Sequence, residues 1–466
     1  MSFLSHEQIE RMNELSLGLL EEVGLRIDHP QVAGRLLAAG CRELPNGRIA
    51  FPRGLVDDCL AQCPRTVRLA GTNGQAADIS AGGPTVFWPG NALYFIEDSR
   101  SRAITEDDFI KLTRVAGALD NVQAMVGPAI SELLPQYRDF VACRIMAQHT
   151  GKHLRPCIYT PEGGRAICEM GEALAGPRPL REWPVISFGY TCISPLHWSE
   201  TGLETFVQTS GYGAPMMINS EPTAGATSPV TLGGSLMLAN AEALSGVVIL
   251  QTLEPGRPCV FNLGFAHTMD MRQAIPRTGA PENGVLGAAG AEIAAFHGLP
   301  SASWMSTEAM LVDEQAAYEK MNVGLMHALA GVNIIWGIGQ LESQRAMSLE
   351  QMVIDDEIAG LCLHAAREIA TDDDSLAYDL IAAMAEKPDF LGHEHTLARF
   401  REELYHPELS FVGRRQAWEQ AGSKTTRERA ADKVSEILCA EPEPFLTDDQ
   451  ERELLKIEAT WRERLA

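Results

Sequence analysis

A chain of 466 residues is long enough to bury a large core, as one elaborated barrel or as about two to three ordinary domains. With 45% apolar and 21% charged residues, it reads as a folded globular protein rather than a disordered one. The formal net charge of -24, with no Lys/Arg cluster long enough to follow a phosphate backbone, argues against a nucleic-acid partner.

That acidity favours the approach of a cation, although it also serves simply to solvate the surface. Ten cysteines stand at irregular spacing, mostly in apolar contexts such as Cys143, Cys157, Cys259 and Cys362, as reduced, buried thiols would. Cys59 and Cys63 have no second Cys/His pair nearby to complete a zinc site, so no metal is expected. The N-terminus lacks a basic flank followed by an apolar core, and no unpunctuated run of about twenty apolar residues occurs; a cytoplasmic protein is expected.

In chain order, residues 5–63 read as a helical preface, with Leu15, Leu19, Leu20 and Val23 at helical spacing and a short helix over 30–39. Thr85 to Ile96 is rich in aromatic and branched residues and broken at Pro89-Gly-Asn, which predicts a hairpin. From about residue 120, short branched-apolar runs alternate with amphipathic helices. Strands are predicted over 122–126, 154–159, 185–190, 215–219, 259–263, 302–305 and 334–337. Helices are predicted near 137–149, 163–174, 200–211, 235–252, 284–297, 314–329 and 349–369.

Seven β/α units are thus visible, and an eighth strand at Phe87 to Phe95 or at Leu409 to Val412 would close a (β/α)₈ barrel of the TIM type. No GxGxxG or P-loop supports an open doubly wound sheet. The expected division is a helical extension over 1–83, the barrel over 84–371, and C-terminal helices over 372–466, broken near Pro442 to Pro444, that pack on the barrel or on a neighbouring subunit. These additions at both ends suggest a homo-oligomer.

Barrel enzymes carry chemistry on loops after the strands. Those positions nominate Tyr159, Glu162, Tyr190 to Cys192, Glu221, Phe265 to Asp270, Trp304 to Glu308, and Gln340 to Glu342. The set holds rings and carboxylates but neither a Gly-x-Ser-x-Gly elbow nor an HExxH zinc pattern. His149 with His153, and His393 with His395, read as structural.

Rings with nearby negative charge suit a quaternary ammonium group, which has no hydrogen to donate and is held by cation-π contacts worth roughly 0.5–2 kcal/mol. Trp304, Trp336, Tyr190, Phe188, Phe265 and Trp88 are the available rings, with barrel packing as the alternative role. Glu221 and Glu308 are the candidate catalytic carboxylates. Gln340, Glu342 and His267 are candidate substrate contacts, and His267 with Arg272 are candidate anchors for a substrate carboxylate.

Several ordered motifs point further. They are Ser306-Thr-Glu308, Asp313-Glu-Gln-Ala-Ala-Tyr-Glu-Lys320, Gly337-Ile-Gly-Gln-Leu-Glu-Ser343 and Glu350-Gln-Met-Val-Ile-Asp-Asp-Glu357. Asp98 to Leu119, Ser194-Pro-Leu196, Gly225-Ala-Thr-Ser-Pro-Val-Thr231 leading to Asn240-Ala-Glu242, Met269-Asp-Met-Arg272 and Leu391-Gly-His-Glu-His-Thr396 accompany them. Together they resemble the trimethylamine methyltransferase superfamily over nearly the whole chain.

The resemblance implies a (β/α)₈ barrel that moves a methyl group from an amine to a corrinoid cobalt. Members acting on trimethylamine carry pyrrolysine just before the Asp-x-Gln-Ala-x-Tyr-Glu-Lys motif. Here the loop reads Glu308-Ala-Met-Leu-Val-Asp313, all ordinary residues, with the corresponding position near Met310 or Leu311. The chain is therefore similar to the branch lacking pyrrolysine, whose characterised members demethylate quaternary amines such as glycine betaine. No Asp-x-His-x-x-Gly corrinoid motif occurs, so a partner protein would supply the corrinoid (cobalamin-type) group. The alternatives are a non-catalytic barrel that binds quaternary ammonium solutes and a folate-dependent betaine methyltransferase.

Overall fold

The computed structural model describes residues 2–97, 99–386, 389–441 and 444–466. Asp98, at the head of one motif, and the Pro442-Glu443 break between the last two helices therefore lie outside the described residues.

Eight parallel strands form the centre: β1 Val86–Pro89, β2 Ala124–Val126, β3 His153–Arg155, β4 Phe188–Cys192, β5 Met216–Ser220, β6 Cys259–Gly264, β7 Ser301–Trp304 and β8 Ile334–Ile338. Ladders join β4 through β8 in order and then β8 to β1, and β2 to β3. Single bridges, Phe87 with Val122 and Leu154 with Ile186, close the two remaining gaps. The barrel therefore has no open edge, and its first strand is one of the two candidates that the sequence offered.

Helices alternate with the strands: α1 Glu106–Ala118, α2 Arg138–His149, α3 Pro161–Ala175, α4 Glu200–Gln208, α5 Leu232–Leu253, α6 Pro281–Phe296, α7 Glu314–Leu329 and α8 Leu349–Ala365. Side chains alternate across each strand. Val86, Ala302 and Ile334, then Trp88, Trp304 and Trp336, point into the barrel, whereas Phe87, Phe188, Ile218 and Ile335 face the helices. The register places Trp304 opposite Trp336 and Trp336 opposite Trp88, so three indoles stand on adjacent strands β7, β8 and β1.

The predicted hairpin over 85–96 does not form. Val86–Pro89 joins the barrel, while Tyr94–Glu97 pairs with Arg100–Ala103 and Ala346–Met347. Pro89-Gly90-Asn91 resembles a turn, yet Gly90 answers to packing: a Cβ there would lie 1.9 Å from Gln340 Cδ. Leu409 to Val412 is not a strand; the Glu357 carboxylate accepts the Glu408, Leu409 and Ser410 N–H groups instead.

The N-terminal region holds helices over His6–Gly18, Pro30–Ala38 and Arg53–Gln62. They cover α5, whose central residues Ser235 to Gln251 include few polar groups and which needs protein on every side. α5 is long and apolar enough to cross a membrane by composition, but 83% of its apolar window is buried within this fold. An antiparallel hairpin, Thr66–Ala70 with Ala76–Ser80, follows; its Val67, Leu69 and Ile79 join the barrel-interior cluster and plug the amino ends of the strands. Sequence periodicity did not reveal this plug.

At the other terminus, Thr426–Cys439 packs on α8 and α1, and Asp448–Leu465 packs on α3 and α2. Trp461 Nε1 donates to Glu169 at 2.8 Å, and Arg144 pairs with Glu458.

Candidate active site

At the carboxyl ends of the strands the barrel opens into a cavity of about 450 Å³. Barrel enzymes work at this end, because loop side chains there are held by rigid strands. A second cavity, of about 270 Å³, lies at the opposite end beside the plugging hairpin, where residues such as Lys152 and His153 knit the fold. Lys152 donates to the Ala116 and Leu119 carbonyls, and His153 bonds Ala70 O and Ser187 Oγ. His153 thus begins a strand and does not share a helix face with His149.

The upper cavity is walled by rings. Phe265 stacks on Trp304 with centroids 4.4 Å apart and planes 14° from parallel, and it meets Trp336 edge-on at 5.9 Å. All three line the cavity, and the indole N–H groups of Trp304 and Trp336 have no hydrogen-bond partner among the described residues. Phe188 is buried against the helices, and Trp88, which packs on Trp336, lines the opposite cavity, so neither belongs to the cage. Tyr190 borders the cavity, but its ring packs toward α4, where a Cβ on Gly202 would sit 2.5 Å from Cε1.

Glu221 follows β5 directly and lines the same cavity. Its side chain keeps 35% of its surface open, but that surface faces a recess rather than bulk water. Burial raises its carboxyl to about 7. His267 lies 4.0 Å away through Nδ1, which donates to Phe265 O, while Nε2 accepts from Thr223 Oγ1 at 3.0 Å. Both ring nitrogens are occupied and burial lowers the pKa, so His267 is a neutral brace and not the anchor expected from the sequence. Arg272 is no anchor either: its side chain is exposed, away from the cavity.

The remaining candidates divide. Gln340 lines the cavity, donating Nε2 to Asn91 O at 2.6 Å and leaving Oε1 without a partner among the described residues. Glu308, expected to be catalytic, lies off the cavity: its Oε1 accepts from the Thr278 and Gly279 N–H groups and ties together the loops after β6 and β7. Glu342 is also outside the lining; with Ser343 and Gln344 it forms a left-handed run, φ 53°, 51° and 70°, that delivers Gln344 to the cavity. Such a run of non-glycine residues is strained and needs a well-packed frame.

The motif residues supply that frame. Glu319 accepts from Thr307 Oγ1 and from Glu308 N at 2.9 Å. Lys320 donates to Gly337 O at 2.9 Å and to Asp355, which accepts Gly339 N at 2.7 Å and Gln351 Nε2 at 2.8 Å. Apart from Gln340, the motif residues therefore build the loops after β7 and β8 rather than touching the cavity.

Sequence reasoning missed Arg155 and Asp139. Arg155 points into the barrel from the end of β3. Asp139 accepts the Tyr159 and Thr160 N–H groups at 2.9 and 2.8 Å and holds the loop after β3; burial raises its carboxyl to about 6. The available signal for Arg155 was phase, because His153 and Arg155 alternate with Leu154 in an otherwise apolar strand.

The profile of the trimethylamine methyltransferase family matches residues 1–464. The chain belongs to that family. A trimethylamine methyltransferase of Desulfitobacterium hafniense is 30% identical over 456 residues, spanning 95% of this chain and 90% of that protein. A glycine betaine methyltransferase of the same species is 29% identical over 463 residues, spanning 97% and 95%. Among solved structures, the monomethylamine methyltransferase of Methanosarcina barkeri superposes with a TM-score of 0.56 over 99% of this chain and 88% of that one. At 11% identity that likeness concerns the barrel fold alone. Family membership makes this trimethylamine methyltransferase homologue an enzyme of methyl transfer, with an aromatic cavity rather than an acid-base dyad at its barrel mouth.

Proposed function

We propose that this enzyme removes a methyl group from a quaternary amine, a betaine such as glycine betaine, and passes it to a Co(I) corrinoid carried by a partner protein. The observation that carries this reading is the Phe265–Trp304–Trp336 cage with Glu221 in the same cavity. Ring faces and one carboxylate are what a permanently charged nitrogen requires, since it cannot donate a hydrogen bond.

The chemistry needs little else from the protein. The methyl carbon accepts the cobalt electron pair as its bond to nitrogen breaks, and the bonding pair stays on nitrogen, which leaves as a neutral tertiary amine. No proton moves. The protein's part is to exclude water and to aim one methyl at the mouth, which converts a bimolecular encounter into an oriented one.

Two further features support the reading. Met310 and Leu311, near the position that the resemblance assigns to pyrrolysine in trimethylamine-specific members, are ordinary apolar residues outside the cavity lining. Around the mouth, Leu93, Ile193, Val230, Met271 and Met310 are exposed apolar side chains on loops after five different strands, a suitable docking face for a macromolecular acceptor. The glycine betaine methyltransferase relative favours a betaine as donor.

The test is product analysis. Purified enzyme with a reduced corrinoid protein and glycine betaine is expected to yield dimethylglycine by mass spectrometry. Demethylation with tetrahydrofolate alone would overturn the corrinoid assignment, and binding without any product would overturn catalysis.

A further inference from the structure

We propose that Arg155 is the carboxylate anchor of this cavity and that it restricts the enzyme to quaternary amines bearing a carboxylate. This inference rests on the quaternary-amine reading above and adds the substrate's second pole.

Arg155 ends β3 and points into the barrel with only 6% of its surface exposed, yet it lines the cavity. A guanidinium offers five N–H donors and stays charged at any physiological pH. In this structure Nη1 donates to Pro156 O at 2.7 Å and Nη2 to Gly189 O at 3.2 Å, while Nε has no partner. Among the described residues no carboxylate lies within ion-pair distance of it. Its flank is covered by the Trp336 ring, 5.5 Å away.

Burying a charge without a counter-ion is unfavourable, and proteins normally pair such groups. Arg257, also buried in the fold, bonds Ala214 O and Thr209 Oγ1 and lies 3.6 Å from Glu254; it conforms to that rule. Arg155 does not, and it is the one of the two that borders a cavity. The backbone makes room for it: a Cβ on Gly189 would stand 2.6 Å from Nη2.

The missing anion therefore belongs to the ligand. Arg155 on β3 and Glu221 after β5 stand two strands apart on one wall sequence of the barrel and are not joined to each other. A single cavity thus carries a fixed cation and a separate carboxylate beside a ring cage. A zwitterion with a quaternary nitrogen and a carboxylate matches both poles, whereas choline or tetramethylammonium matches only one.

Calorimetry on the full-length protein with glycine betaine, choline and N,N-dimethylglycine tests this. Wild type is expected to bind glycine betaine at least roughly tenfold more tightly than choline, the effect of one charge-assisted contact. Arg155→Gln removes that preference and leaves choline affinity within about twofold; Arg155→Lys, which keeps charge but not the fork, restores part of it. A purely structural Arg155 would weaken both ligands together, and that result overturns the proposal.

Should the variants fail to fold, mapped phenylglyoxal modification of wild-type Arg155, blocked by glycine betaine but not by choline, supports the anchor; equal blocking by both overturns it. Equal wild-type affinity for betaine and choline also overturns the anchor while leaving the quaternary-amine reading intact. Binding of dimethylglycine but of no quaternary amine keeps the anchor and overturns that reading. Binding of none of the three overturns both.

Discussion

Lys320 on α7 and Asp355 on α8 form an ion pair in which neither side chain reaches solvent. Desolvation pulls the lysine pKa down and the aspartate pKa up, and their mutual attraction opposes both shifts. The pair is completed by Gly337 O, Gly339 N and Gln351, so it fixes the turn that leads from β8 to Gln340.

Lys320→Met strands a buried carboxylate, and a loss of about 3–5 kcal/mol in unfolding free energy is expected. Urea titration followed by circular dichroism measures it. The double variant Lys320→Met/Asp355→Leu recovers much of that loss, because no charge remains to be buried.

In the proposed cage Trp304 faces the cation, which no ring that faces the helices does. Trp304→Leu removes one wall of the cage and its stack on Phe265; quaternary-amine binding weakens by roughly 0.5–2 kcal/mol. Phe188→Leu, on the helix-facing side of β4, changes stability but not ligand affinity. Titration calorimetry on both variants separates the two roles.

The carboxyl of Glu221 sits at about 7 in the fold, against an ordinary value of 4.5. The folded protein without ligand holds this proton more tightly than the unfolded chain does. Its contribution to stability is present below the unfolded value and is lost as pH rises through the folded one. A bound quaternary cation favours the carboxylate, so ligand affinity rises from about pH 6 to about pH 8 and binding releases protons. Glu221→Gln flattens both dependences, measured by calorimetry in buffers of different ionisation enthalpy.

Met310 is 62% exposed and, with Leu311, lies outside the cavity lining. Met310→Ala is accordingly expected to leave the KM for a betaine within about twofold, the range of a surface substitution outside the substrate cavity. A larger rise in steady-state assays would place this loop against the substrate.

Much of the barrel was legible because parallel strands buried on both faces leave apolar runs between helical ones. β1 was ambiguous, since Pro89-Gly90-Asn91 carries turn residues whose reason is close packing of Gln340. The plugging hairpin over 66–80 was not legible, because its strands are half exposed and mixed in character. In the site, Glu221, Trp304 and Gln340 were readable as residues at or just beyond strand ends, and Trp336 as one of the available rings. Glu308 and Glu342 shared that signal without sharing the cavity, because position after a strand does not say whether a side chain turns inward or caps a neighbouring loop. Arg155 was marked in the sequence only by its phase in β3, because the need for a counter-ion appears only once its neighbours are known.

The most direct measurement is the visible spectrum of a Co(I) corrinoid protein mixed anaerobically with this enzyme and glycine betaine. The account predicts conversion to methyl-Co(III) with wild type, slowed in Trp304→Leu. A Co(I) spectrum unchanged by every quaternary amine offered would contradict it.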